Sequence, residues 1–339
     1  MRILHTGHSY SPSVDGVAEI VRNISEVLAS RGHDVHVATA ALDGERAYTD
    51  LRGVHVHRFA VKGCLALGMS GDVRGYREFV ASGNWDLLVN HCLSAWPADA
   101  LLDEIASYPW PSILVTQGLG TRNPRFENYF RELPKYLPSY YKWVRVSHSS
   151  EELSFAERFS LPAPPVITNG VDIAQWAQPS LGVRRLWRVG NAPWIVNVSN
   201  HYGVRHKNHP ILFELARRLP RRLPGTSARV TLIGNPHPMF KWNLGAVGLR
   251  GGCYYGCRAR ALVSRSVELK TNVPREQVIS AIQEADVLVS SSMWEANSVV
   301  LLESMAAGTP WVSTDVGSAR ELAGGVVVRV LQNKGIAGS

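Results

Sequence analysis

The first forty positions carry two rhythms of apolar residues. Ile3 and Leu4 make a short apolar run within Arg2–Thr6, as a buried strand does. Residues 9–15 are rich in turn formers. Val17, Ile20, Val21, Ile24, Val27 and Leu28 then fall at helical spacing over Gly16–Ser30, and Gly32 stands where a glycine ends a helix. Residues 34–39 alternate as the next strand. Further strands are predicted at 86–91 and 113–116, with a helix at 97–107 between them. Strands alternating with helices imply a parallel sheet covered on both faces.

A second series follows. Strands are predicted at 194–199, 229–233, 267–269, 286–290 and 311–314, and helices at 210–219, 274–285, 298–307 and 318–323. Pro274 suits a helix start and Gly308 a helix end. Pro162, Pro164 and Pro165 punctuate the chain between the two series. The expectation is two Rossmann-like domains, 1–165 and 166–339, with a cleft between them. With 339 residues there is material for two cores. One stretch fits neither series. Tyr129, Phe130, Tyr136, Tyr140, Tyr141 and Trp143 alternate with Arg131, Lys135, Lys142 and Arg145. It reads either as a covering element on the first domain or as a surface for a membrane or an acceptor sugar.

Charge sharpens this picture. Residues 1–165 hold 16 Lys and Arg against 18 Asp and Glu, a net of −2; residues 166–339 hold 20 against 10, a net of +10. A basic second half suits an anionic ligand such as a nucleotide diphosphate, or an anionic membrane surface. Nucleic acid is not expected, because no reading motif accompanies the charge. The apolar run at the N-terminus is too short for a signal peptide or a membrane span, so a soluble, cytoplasmic protein is expected. Four cysteines form no disulfide framework. Cys253 and Cys257, with His237 at a distance, make a poor zinc set, and a stiff surface loop with two thiols is the expectation there.

The candidate chemistry lies in Glu295-Ala296-Asn297-Ser298-Val299-Val300-Leu301-Leu302-Glu303, two carboxylates eight apart across a strand-to-helix turn. The N–H groups that open such a helix suit a phosphate. A carboxylate before the helix then reaches a sugar hydroxyl, and one inside it a ribose. The spacing alone equally fits a capping acid and a surface acid.

This E-x7-E segment, with Val312-Ser313-Thr314-Asp315-Val316-Gly317-Ser318 and Glu321 after it, resembles the retaining glycosyltransferases of family 4, which have the GT-B fold. Thr168-Asn169-Gly170-Val171-Asp172 resembles the family's "NGVD" segment. Asp15-Gly16 and Arg31-Gly32-His33-Asp34-Val35 resemble its N-terminal glycine loop and following strand. Ala285-Asp286-Val287 matches the strand leading into E-x7-E. The resemblance spans most of the chain, in order.

It implies an acceptor-side first domain and a second domain that binds the nucleotide sugar. Glu295 would hold hydroxyls of the donor sugar and Glu303 the ribose. The amides of Asn297, Ser298 and Val299 would meet the diphosphate or sugar, and Gly16 would let the backbone approach the phosphate. Lys207 resembles the family's phosphate-binding lysine, and 270–273, with Lys270 and Val273, falls where the family contacts the base. No cofactor and no metal are implied, and the sequence has no Asp-x-Asp pair. Retention would proceed by front-face attack with the leaving phosphate oxygen as base.

The chain departs from the family pattern in places. Tyr202 stands where an arginine precedes the lysine, with Arg205 as substitute. Ala296-Asn297-Ser298 replaces "GFG", and Gln117 replaces a histidine near the reacting centre. His91, ending a strand, is a further candidate, though a histidine there is more often structural. Relatives continue past a strand expected at 326–330 into helices that pass back onto the first domain; this sequence ends at Ser339. The donor is expected to be UDP- or GDP-linked, and the acceptor a glycan, a lipid-linked sugar or a small molecule, presented at an anionic membrane face. Alternatives are a non-catalytic nucleotide-sugar binder and a same-fold epimerase or phosphorylase. A nicotinamide oxidoreductase is disfavoured, because the first loop reads Gly7-His8-Ser9-Tyr10-Ser11-Pro12 and Gly118-Leu119-Gly120 lacks a third glycine.

Overall fold

A computed structural model describes residues 1–13, 15–121, 124–199, 207–222, 228–235, 254–322 and 324–329. The chain divides into two units, Met1–Gly170 and Val171–Ser339. The first holds strands β1 (Arg2–Thr6), β2 (Asp34–Ala40), β3 (Tyr48–Leu51), β4 (Val54–Phe59), β5 (Val61–Cys64), β6 (Gly68–Gly71), β7 (Leu87–His91), β8 (Ser112–Val115) and β9 (Lys142–Val144). Its helices are α1 (Gly16–Ser30), α2 (Val73–Ser82), α3 (Trp96–Asp99), α4 (Glu127–Glu132) and α5 (Glu152–Arg158). The second unit holds β10 (Trp194–Val198), β11 (Arg229–Ile233), β12 (Val267–Lys270), β13 (Val287–Ser290), β14 (Trp311–Thr314) and β15 (Gly325–Val328). Its helices are α6 (Ile173–Trp176), α7 (Val183–Leu186), α8 (Pro210–Arg222), α9 (Tyr254–Val263), α10 (Arg275–Glu284) and α11 (Val299–Ala307).

Each unit is built on one large sheet, and β5 and β6 form a separate two-stranded sheet in the first. The second is ordered β12-β11-β10-β13-β14-β15, every neighbour parallel. The first is ordered β3-β4-β2-β1-β7-β8-β9, parallel except for the β3–β4 hairpin at its edge. Both are doubly wound. The chain runs outward from β1, or from β10, to one edge, then returns to the middle and runs to the other. The reversal leaves a crevice beyond the carboxyl ends of β1 and β7, and of β10 and β13, which is where such sheets bind ligands.

Burial follows the pattern that the apolar runs imply. In β2, Val35, Val37 and Ala38 have no exposed surface, and apolar clusters lie on both sides of each sheet. Helix α1 begins where the spacing says because Asp15 accepts hydrogen bonds from the N–H groups of Val17 and Ala18, both at 3.0 Å. Gly32, at φ +84°, follows its last turn. Pro162–Pro165 belongs with the first unit: Arg145 donates from its backbone N–H to the Pro165 carbonyl at 3.0 Å and from Nε to that of Pro164 at 3.2 Å.

Several expectations are corrected. The single helix expected over 97–107 is instead α3, a run of turns and a short 3₁₀ segment at Ile105–Ser107. Asp99 is drawn into the interior there, accepting from Leu65 N–H at 2.9 Å and the Tyr129 hydroxyl at 2.7 Å. The segment expected as a helix over 318–323 is a 3₁₀ turn, Gly317–Glu321. The surface loop expected at Cys257 is helix α9, with Cys257 buried inside it; Cys253 and His237 lie outside the described residues. In the aromatic–basic stretch, Tyr129, Phe130, Tyr140 and Trp143 belong to the core of the first unit, and Tyr141 is exposed. Two of its cations are paired with acids one helical turn away, Arg131 with Glu127 and Lys135 with Glu132. The stretch is the covering element of the two alternatives. Among the described residues no helix is long and apolar enough to cross a membrane.

Candidate active site

In the second unit the residues singled out from E-x7-E gather beyond the β10–β13 crevice. Lys207 follows β10 and Glu295 follows β13. The Lys207 ammonium donates to Glu295 Oε1 at 2.5 Å, and Ser292 Oγ donates to the same oxygen at 2.7 Å. Ser291 Oγ donates to the Lys207 carbonyl at 2.7 Å, so the turn after β13 holds both partners. The two side chains keep 20% and 17% of their surface exposed, enough to be reached by a ligand. Next along the chain, α11 opens at Val299 behind an extended Ser298 whose side chain makes no cap hydrogen bond. The first N–H groups of any helix have no acceptor within it. The carboxylate and the helix N-terminus thus share one short stretch of chain, and the ammonium reaches that carboxylate from 88 positions away.

Glu303 lies one turn inside α11 and is 4% exposed. A buried carboxylate needs a counter-charge. Arg275, the first residue of α10, supplies it with a hydrogen-bonded ion pair to Glu303 Oε1, and its guanidinium lies 5.3 Å from the Trp176 ring centroid. The sequence reading missed Arg275. A cation in a helix's first turn opposes the helix dipole, but nothing in the sequence names the anion that offsets it.

Gly317 was also missed as a position with its own role. It has φ +51°, and a Cβ there would sit 2.5 Å from the Glu295 carbonyl oxygen and 2.6 Å from that of Ala296. Ser318 N–H donates to the Ala296 carbonyl at 3.1 Å. The turn after β14 is therefore pressed onto the backbone that carries Glu295. Lys270 ends β12 at the same carboxyl edge of the sheet. It pairs with Glu268 at 2.5 Å, and its ammonium lies 5.2 Å from the Trp187 ring centroid. Val273 packs against the core of the unit. Asn297 is half-buried in the turn before α11. Arg205 and Tyr202 lie outside the described residues.

In the first unit, Gly16 is exposed at the start of α1, beside Asp15. That carboxylate already sits on two of the helix's opening amides. Gln117 follows β8 with φ +54° and exchanges two hydrogen bonds with Asn169: Asn169 Nδ2 donates to Gln117 Oε1 at 3.0 Å, and Gln117 Nε2 donates to Asn169 Oδ1 at 3.3 Å. Two positions that resemblance picked out separately are one amide pair. His91 has no exposed surface. Its Nε2 lies 3.0 Å from His5 Nδ1, and burial holds it neutral, well below the usual histidine range. It is a buried neighbour of His5, with no surface to offer a ligand.

Residues 15–170 match the family described as glycosyl transferase 4-like domain, and residues 198–331 match glycosyl transferases group 1. The chain belongs to the GT4-type glycosyltransferases. A D-rhamnosyltransferase, WbpZ, of Pseudomonas aeruginosa is 26% identical over 327 residues, covering 94% of this chain and 78% of its own. Among solved structures, a sucrose-phosphate synthase from Thermosynechococcus elongatus matches with a TM-score of 0.73 at 16% identity, over 97% of this chain and 86% of its own. Anabaena HepE, solved in complex with UDP-glucose, matches with a TM-score of 0.70 at 16% identity, over 97% and 85%. At that identity the likeness shows the fold, which is GT-B, two Rossmann-like domains.

Proposed function

We propose that this glycosyltransferase moves a hexose from a UDP- or GDP-linked sugar to a glycan, lipid-linked or small-molecule acceptor, with retention of configuration and without a metal. The Lys207–Glu295 pair beside the α11 N-terminus carries the reading. The barrier to transfer lies in charge gathering on the departing diphosphate, and a fixed ammonium with helix amides stabilises that charge where it develops. Without donor, Glu295 is the counter-ion of Lys207. When the diphosphate takes over that role, Glu295 turns to the hydroxyls of the sugar. Glu303, held by Arg275, addresses the ribose. The UDP-glucose complex of HepE supports a UDP-linked donor, and the missing Asp-x-Asp pair supports metal independence. The first unit serves the acceptor, and its Gln117, paired with Asn169, stands where the family has a histidine. The basic second half favours an acceptor at an anionic membrane face.

The test offers the full chain UDP-glucose, UDP-galactose, GDP-mannose and a panel of acceptors, with and without EDTA, and follows nucleotide release and the anomeric configuration of the product. EDTA-insensitive release with a retained glycoside is the expected result. Binding with neither transfer nor hydrolysis would make the chain a non-catalytic relative. Free epimer without glycoside would make it an epimerase.

A further inference from the structure

The described residues contain one group whose side chains are arranged to hold a metal ion, and it lies away from the machinery above. Asp34 and His36 stand at the start of β2, and His55 and His57 alternate along β4. The two strands are parallel neighbours in which His36 lies opposite His55 and Ala38 opposite His57, so the three imidazoles share one face of the sheet. This is the amino end of the strands. Gly16 and Gln117 sit beyond the carboxyl ends of β1 and β8.

The separations approach those of a metal polyhedron. His36 Nε2 lies 3.0 Å and His55 Nε2 3.5 Å from the same oxygen, Asp34 Oδ1, and the three ligand atoms fall within 4.8 Å of one another. Bonds of about 2.0–2.1 Å to a tetrahedral zinc ion put its ligand atoms about 3.3 Å apart. His36 Nδ1 lies 3.0 Å from His57 Nε2, and the Arg2 guanidinium lies against His36 Nε2 at 3.4 Å. His55 Nδ1 faces the Tyr48 hydroxyl at 2.8 Å and the Asp50 carboxylate at 3.6 Å. Each inner histidine thus turns one nitrogen toward Asp34 and anchors the other on an outer partner, the support that metal-bound histidines have. Asp34 is exposed, leaving a fourth position to water.

We propose that Asp34, His36 and His55 form a zinc site that ties β2 to β4, with His57 and Asp50 as its outer supports. Arg2 is the competitor. Its guanidinium lies 3.3 Å from Asp34 Oδ2 as well as on His36, so it fills part of the charge that the ion would fill and moves aside when zinc binds.

The experiment titrates Zn²⁺, then Co²⁺ as a spectroscopic stand-in, into tag-free, chelator-stripped full-length protein against a chromophoric competitor at pH 7.5. A tag is avoided because Met1 lies 3.5 Å from His33, next to the site. One equivalent is expected to bind, to raise the melting temperature and to give Co²⁺ visible bands of low-coordinate intensity. His55→Ala and Asp34→Asn are expected to weaken binding at least about tenfold and to abolish the melting shift, and Arg2→Ala to tighten binding. Asp34 is exposed, so Asp34→Asn serves if the histidine variant folds poorly. No tight equivalent in the wild type would overturn the proposal, as would one that survives both variants unchanged.

Discussion

Lys207 and Glu295 pair with each other in the structure, and the proposed transfer requires a diphosphate to displace that pairing. Lys207→Ala and Glu295→Ala are each expected to lower kcat by about 10²–10³-fold, the scale of losing one preorganised group at a developing charge. Far-ultraviolet circular dichroism should remain unchanged, because both side chains are partly exposed. Activity within a few-fold of wild type in both variants would remove the pair from the mechanism. Gly317 is a different kind of residue: it touches no ligand in this reading, yet its missing Cβ lets the β14 turn lie against the Glu295 backbone. Gly317→Ala should cost about 1–2 kcal/mol in stability from the positive φ and the displaced carbonyls. It should also reduce kcat more than Ala at an exposed glycine such as Gly120, measured side by side. Glu295 was legible through the E-x7-E segment, and Lys207 only through the family resemblance. Arg275 and Gly317 were not, because each acts through a partner 28 or 22 positions away in the chain, and no local spacing encodes that contact.

Elements that carry their own signals emerged with little change. α1 spans Gly16–Ser30 as its spacing predicts, with an aspartate at one end and a glycine past the other. Replacing Asp15 by Ala removes the oxygen that accepts from two helix amides and should cost about 1 kcal/mol in urea unfolding. The β3–β4 and β5–β6 hairpins were not predicted. Their strands are four to six residues long, and in β4 two of the three half-buried alternate positions are histidines, which do not read as apolar or as simply polar. The pairing of β1 with β7 has a consequence for pH. It stacks His5 on His91 in the interior, and burial lowers the pKa of His5 to about 4. In the unfolded chain each protonates near 6.5. The unfolded state therefore binds more protons below that value, and stability is lost as pH falls from about 6.5 toward 4. For His5 alone the effect approaches about 3 kcal/mol at the bottom of that window. Urea midpoints at pH 7.5, 6.0 and 5.0 should decline for the wild type and decline less for His5→Gln; equal slopes would place the pH dependence elsewhere.

Across the whole molecule the charge is divided, with a net of +10 after residue 165 and −2 before it. Donor affinity should therefore weaken several-fold between about 0.05 M and 0.5 M salt, as long-range attraction to a diphosphate is screened. Binding to anionic vesicles at low salt, and its loss at high salt, would support a membrane-presented acceptor; no binding at low salt would remove that part of the proposal. The aromatic side chains that suggested such a surface are mostly core, because an isolated sequence cannot distinguish an aromatic that faces water from one that faces a sheet. By itself the sequence determined the alternation of strands and helices, the two α/β units and the E-x7-E segment carrying Glu295. Each of these is written in local periodicity or short spacing, where neighbours in the chain are neighbours in space. Only the tertiary structure decided which charges meet: Lys207 on Glu295, Arg275 on Glu303, Gln117 on Asn169, and the histidines of β2 and β4 around Asp34. Those pairs depend on strand order and register, which non-local packing sets and no stretch of sequence contains.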